Sequence, residues 1–238
     1  MNYAQMAAIV ALLLTFISGC GGGGGGTATP AQVASTQTFN LQAAYKNFLS
    51  TPASYKFNIT GTYGTNPVIG SGTAVTGAVT SGIFEGQSAL QRTTSILGSF
   101  SANNQSFPLA TSTVLWMDTN YMPRGNISES SYEIADGTVS IPISVKVSDT
   151  GAIYATKIYA TSAKTSLIGT STTSYVVEAD TPTTAIVTFI SITKNISGNT
   201  TTTYTNQYRI TAANTLIKIK ETALNYVTGL NLVLSSGN

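Results

Sequence analysis

The chain contains no histidine and a single cysteine in 238 residues. Those two shortages exclude disulfides, zinc sites of the usual Cys/His kind, iron–sulfur clusters and every Ser–His or Cys–His nucleophile pair. No cofactor is expected. Charge is scarce as well, with only 8% of residues Asp, Glu, Lys or Arg, against about 25% in a typical globular protein. The eleven basic and nine acidic side chains are scattered and sum to +2. They form no basic stripe that could follow a phosphate backbone, so nucleic acid is not an expected partner.

What is present is polarity without charge. The sequence holds 39 Thr and 26 Ser, alongside 42% hydrophobic residues. Threonine loses rotamer freedom in a helix and suits the pleated, half-buried surface of a strand, so the composition argues for sheets. The length allows a sizeable core and suits one all-β domain or two small ones.

The lone cysteine has a specific setting. Met6 to Phe16 is an apolar run without charge, too short to span a bilayer and the right length for the core of a secretion signal. It ends in Ile17-Ser18-Gly19-Cys20, followed by six glycines, which a packed core helix would not tolerate. This stretch resembles the lipobox of bacterial lipoproteins. The resemblance implies that Ile17, Ser18 and Gly19 are read by the lipoprotein signal peptidase. It also implies that Cys20 is lipidated, including by palmitate-type acyl chains, and becomes the first mature residue. A membrane, reached through that lipid, is then the first partner. Gly21 stands where an aspartate would retain such a protein in the inner membrane of enteric bacteria, so the expected location is the outer membrane, on its periplasmic face or at the cell surface.

These signals divide the chain into a signal peptide (residues 1–19), a lipidated cysteine with a Gly/Thr/Ala tether (20–37) and a β-rich domain with a short N-terminal helix (38–238). The tether should be a flexible coil, with a root-mean-square reach of roughly 20–25 Å for about seventeen residues. Thr38 or Asn40 can cap the helix, in which Leu41, Ala44, Tyr45 and Phe48 share one face and Pro52 provides the stop. That apolar face suits a cover packed on a sheet better than a membrane-surface helix, which would want more basic residues than Lys46.

From Ala53 onward nearly every segment reads as strand. Tyr55, Phe57, Ile59 and Tyr63 alternate with polar residues, as do Ile141, Ile143, Val145 and Val147, and again Ile217 and Ile219 against Lys218 and Lys220. With the Thr/Val/Ile-rich segments between them, ten to twelve strands are expected. Short connections make consecutive strands antiparallel neighbours. Met122-Pro123-Arg124-Gly125, Asn195 to Asn199 and Thr211 to Asn214 read as turns. The expected fold is all-β, an antiparallel meander curled into a sandwich or half-open barrel, with one short N-terminal helix. Aromatic girdles of a porin-like barrel are not evident.

Three patterns touch on chemistry. Asp149-Thr150-Gly151-Ala152 matches the tetrapeptide of retroviral-type aspartic proteases, but no second copy supplies the paired carboxylate such chemistry needs. A hairpin tip with Gly151 in the left-handed region is the alternative. Ser191-Ile192-Thr193-Lys194 has a Ser-x-x-Lys spacing that works only on a helix, and here it ends a strand. Asp118, Asp136, Asp149 and Asp180 could offer calcium oxygens, yet no spacing collects them, and no metal site is expected. Trp116 and most tyrosines are expected to fill the core. The function these readings support is a lipid-anchored envelope lipoprotein acting as a structural or interaction module, with another envelope protein as partner. The alternatives are a periplasmic carrier of apolar ligands or lipids, and a hydrolase without His or Cys. The carrier resembles in outline the lipoprotein-sorting carriers of Gram-negative cells, a curled antiparallel sheet with an N-terminal helix as cover.

Overall fold

The computed structural model describes residues 34–236. Cys20 and the expected recognition residues Ile17, Ser18 and Gly19 lie outside the described residues, with the rest of the expected signal peptide and most of the expected tether. Helix α1 (Leu41–Ser50) precedes β1 (Ala53–Tyr63), β2 (Asn66–Thr76), β3 (Thr80–Phe84), β4 (Gln87–Ala102) and β5 (Gln105–Met117). Two short strands follow, β6 (Pro123–Ile127) and β7 (Tyr132–Asp136). The remainder is β8 (Thr150–Tyr159), β9 (Leu167–Thr181), β10 (Thr184–Asn195), β11 (Thr200–Thr211), β12 (Leu216–Asn225) and β13 (Leu230–Ser236).

Each strand pairs antiparallel with its neighbours along one sheet, as a meander should. The sheet does not fold into a sandwich or stop half-open, because two further pairings close it. β1 pairs with β13, and β2 pairs with β4. Length explains the second junction. β4 offers Thr94–Ala102 to β2 and still has Gln87–Gln91 left for β3. β3 therefore continues the line of β2 after a break at residues 77–79, and the described residues form a twelve-stranded barrel with one strand appended.

Alternation sorts the two faces. In β1, Phe57 and Ile59 are buried inside while Ser54, Lys56, Asn58, Thr60 and Thr62 are exposed outside. The outer face of β1 is thus polar, while Ile69 and Val75 of β2 and Leu97 of β4 are exposed apolar residues. Inside, apolar residues gather toward the two ends. One cluster, built on Phe57, Ile59, Ile96, Phe100, Leu109 and Leu232, fills the end away from the helix. The other joins α1 to Met117, Val177, Val187, Tyr208 and Ile210.

Asn40 caps α1, its Oδ1 accepting from the Ala43 N–H at 2.9 Å. Leu41, Ala44, Tyr45, Phe48 and Leu49 are buried, so the amphipathic stripe is a cover for the barrel mouth. Tyr45 meets Phe189, and Phe48 meets Tyr208, edge to face. Arg92 inside β4 fastens the far end of the helix, donating to the carbonyls of Phe48 (3.1 Å) and Thr51 (3.2 Å). Those last carbonyls have no intrahelical partner, and a guanidinium fork satisfies two of them.

Several expected elements move. Residues 141–147 alternate like a strand but form a strap over the helix entrance. Val145 exchanges backbone hydrogen bonds with Phe39, and the Pro142 carbonyl accepts from Gln42 N–H. Ile141 and Val145 are buried while Ile143 is exposed. Pro142 has no N–H for a ladder, which favours a strap over a strand. Residues 34–37, assigned to the tether, already lie on the barrel: Ser35 is buried and donates to the Pro182 carbonyl. The expected turn at Met122 to Gly125 is instead the start of β6. The turn falls earlier, where Asp118 Oδ1 accepts from the N–H groups of Asn120 and Met122 and Tyr121 takes φ 66°.

Candidate functional site

Between the two apolar ends, the barrel interior carries a belt of polar side chains. It has two charged stations. At the first, Glu221 on β12 is fully buried and accepts from Lys218 Nζ at 2.6 Å. A register shift in the β11–β12 pairing, between Gln207 and Tyr208, accompanies this arrangement. Ile217 and Ile219, expected on the buried face, are both half-buried, and Lys218 is turned inward. Burial pushes Glu221 above, and Lys218 below, the ordinary values, and their contact opposes both shifts.

The second station surrounds Glu133 on β7. Leu115, Asn126 and Glu133 stand opposite one another across β5, β6 and β7, so their side chains share the inner face. They line a cavity of about 50 Å³ whose other walls include Tyr154 and Thr156 of β8, Thr173 of β9, and Tyr204 and Asn206 of β11. Strands far apart in the sheet order thus meet across one small chamber. Thr173 and Ser191 hydroxyls bond to each other at 2.9 Å within it. Asn126 Oδ1, Thr156 Oγ1 and Asn206 Oδ1 are buried without a protein partner. Buried acceptors are almost always satisfied, so three around one cavity call for an occupant, water or otherwise. Burial pushes the Glu133 carboxyl up to about 7, a Ser131 hydroxyl bond opposing. Tyr154 is pushed up to about 12, and Tyr204 also rises, chiefly by burial, with Glu133 nearby adding to both.

β7 reverses the usual alternation to achieve this. Tyr132 and Ile134 lie on the outer face, where β3 folds Phe84 over them. Phe84 stacks on Trp116 with centroids 5.3 Å apart and tilts against Tyr132 at 5.7 Å. Gly125 permits the approach, since a Cβ there would sit 2.4 Å from the Phe84 ring. Trp116 therefore belongs to a small external core rather than the interior. Tyr132 hydroxyl donates to Glu85 at 2.6 Å, and Lys164 pairs with the other oxygen of Glu85.

The residues singled out from sequence are not brought together. Asp118 holds its turn, Asp136 pairs with Lys157, Asp149 accepts from the Lys146 N–H, and Asp180 pairs with Arg209. Gly151 is not a hairpin tip. It lies in β8 with its neighbour Tyr175, and the left-handed residue of that turn is Ser148, at φ 78°. Ser191 and Lys194 lie in β10, as a strand reading requires, with Ser191 facing the chamber and Lys194 exposed. Glu133 was missed because its flanking Tyr132 and Ile134 mark it as a wet-face residue. Asn206 was missed as well, although the signal was present: it is one of the every-second residues of β11 with Thr202, Tyr204, Tyr208 and Ile210, all buried.

The chain matches no family model and no curated protein. Among solved structures, it is similar to a DUF1329 family protein from Desulfovibrio piger, 8% identical, with 84% of this chain and 92% of that chain covered at a TM-score of 0.33.

Proposed function

We propose that the protein is a lipid-anchored cell-envelope lipoprotein that works by holding a partner at the barrel end remote from its anchor. The observation that supports this is the distribution of exposed apolar side chains. The N-terminal tether joins at the helix-covered mouth, where β1 begins. At the opposite mouth, the ends of three hairpins that are neighbours in the sheet carry Leu167 and Ile168, then Ile196, then Leu224, Tyr226 and Val227. Ile196 and Val227 are each 74% exposed. Single exposed apolar residues are ordinary, but a contiguous set on adjacent tips marks an interaction surface. Anchoring through Cys20 holds this surface outward from the headgroups by the length of the tether and barrel.

Photo-crosslinking residues placed at Val227 and, as a control, at Lys56 on the barrel wall test the reading in intact cells. The expected result is a discrete envelope adduct from position 227 that is lost in Tyr226→Ser/Ile196→Ser, with none from position 56. Identical patterns from both positions would overturn it. The anchor is tested separately. Cys20→Ser should abolish fatty-acid labelling and leave an unprocessed precursor, while fractionation should find the parent in the outer membrane.

A second reading, a carrier of ligands, is supported by the closed barrel with a helix across its mouth. The described interior is filled by side chains except for small spaces, so a lipid-sized ligand requires α1 to lift. Native mass spectrometry of protein extracted from membranes should then show a bound apolar molecule, retained when α1 is cross-linked shut.

A further inference from the structure

The chamber around Glu133 has an unusual balance of groups. Leu115, Pro123 and Ala135 supply apolar wall, and the polar part of the lining contains one carboxyl, no lysine or arginine, and otherwise hydroxyl and amide side chains. Three oxygens, Asn126 Oδ1, Thr156 Oγ1 and Asn206 Oδ1, have no protein donor. Glu133 stands directly opposite Asn126 on the adjacent strand, which brings their Cβ atoms to about 5 Å. At about 50 Å³ the space holds a few particles the size of water, each needing roughly 10–15 Å³. It is far too small for a lipid or a nucleotide.

Oxygen donors with one formal negative charge describe a site for a hard cation. The charge count selects among cations. A monovalent ion neutralises Glu133 and leaves the site uncharged, whereas a divalent ion would leave an excess positive charge beside buried amide and hydroxyl groups, with no second carboxylate in the lining to pair it. We propose that the Glu133 chamber binds one small monovalent cation, an alkali ion or ammonium, held by Glu133 with the oxygens of Asn126, Thr156 and Asn206. An alkali ion takes these oxygens as ligands, and ammonium donates to them. Either satisfies three acceptors that are otherwise bare. Glu221, which is fully buried, already has its cation in Lys218, whereas the ion at Glu133 is an exchangeable one. It stands apart from the partner-binding reading and uses none of the residues at the hairpin tips.

The test uses the full mature chain in detergent. Thermal melts are compared in sodium, potassium, ammonium and calcium chloride against the chloride of a bulky organic cation at equal ionic strength. At least one monovalent cation should raise Tm, by roughly 3–5 °C for each tenfold rise in its concentration above Kd, with calcium no better than the bulky reference. Glu133→Gln should remove that rise while melting at or above the parent in the reference salt. Asn126→Asp, which adds a second carboxylate opposite Glu133, should create a calcium response. Occupancy is read independently of stability from the magnetic-resonance line width of sodium, with potassium and ammonium as competitors. The parent should broaden the line and Glu133→Gln should not. The absence of any cation-dependent rise or broadening, meaning that water alone fills the chamber, would overturn the proposal. So would equal stabilisation by calcium in the parent, or a response that survives in Glu133→Gln.

Discussion

Two inward-facing carboxylates, Glu221 fully buried and Glu133 half-buried, solve one problem in opposite ways. Glu221 has Lys218 within 2.6 Å, while Glu133 faces a cavity, a hydroxyl and two unpaired amide oxygens. A carboxylate removed from water costs several kcal/mol unless paired or protonated. Around Glu221 the protein supplies the counter-charge from three residues away on the same strand. Around Glu133 it supplies only dipoles and space. The first arrangement fixes a structure, and the second leaves a charge whose state depends on what enters the chamber or on pH.

Breaking the paired station should have the largest effect. Lys218→Met leaves Glu221 buried without a cation and should lower stability by about 3–5 kcal/mol. Adding Glu221→Leu should recover most of that loss in urea melts, since removing both partners restores neutrality. A double variant no better than the single one would show that Lys218 serves some purpose other than pairing.

The unpaired station should respond to pH. Burial raises the folded-state value of Glu133 to about 7 from an ordinary carboxyl value of 4.5, so the folded protein binds a proton more tightly than the unfolded chain. Stability from this group is complete below about pH 4.5 and is lost as pH rises through 7. The loss relative to Glu133→Gln should approach about 3 kcal/mol by pH 8 in the absence of a bound ion. A stability difference that is flat between pH 5 and 8 would contradict the burial of an ionising Glu133.

Gly151→Val should cost less, about 1–3 kcal/mol, by a mechanism that differs from a turn constraint. A Cβ at residue 151 would lie 2.8 Å from the Tyr175 ring, so Tyr175→Ala should relieve the penalty in a double-mutant cycle, which a left-handed glycine would not allow. The smallest effect should come from Asp149→Asn. Its oxygen accepts from the Lys146 N–H, an asparagine oxygen does the same, and melts should agree within about 0.5 kcal/mol.

The sequence carried the all-β class, the meander and the helix cover because each rests on local periodicity: the 3.6-residue stripe of Leu41 to Phe48, or the alternation in β1. Closure was not legible, since it depends on β4 being long enough to take two partners on one edge and on β1 finding β13 across the whole chain. The chamber was hidden for a related reason. Glu133 points inward only because β3 lays Phe84 on the outside of β6 and β7, a tertiary cover that no window of a few residues contains. Where local pattern and tertiary position agree, as at Asn206 in β11, the signal for an inward polar residue lies in its neighbours.

The pairing of Phe57 to Tyr63 with Leu230 to Ser236 makes the last strand the lock of the whole molecule. A chain synthesised from its N-terminus has its first strand available long before its last one arrives, and until then β1 and β12 both present bare edges. Such an intermediate invites pairing with other chains. Loss of only the seven residues of β13 should therefore be read by the cell as loss of the entire barrel. The seam amounts to a check on β13, because only a chain that includes this strand hides the edges of β1 and β12 from proteases. Its direction follows from the register, which runs Leu230 beside Tyr63 at the hairpin-tip end and Ser236 beside Phe57 on the way back toward the helix.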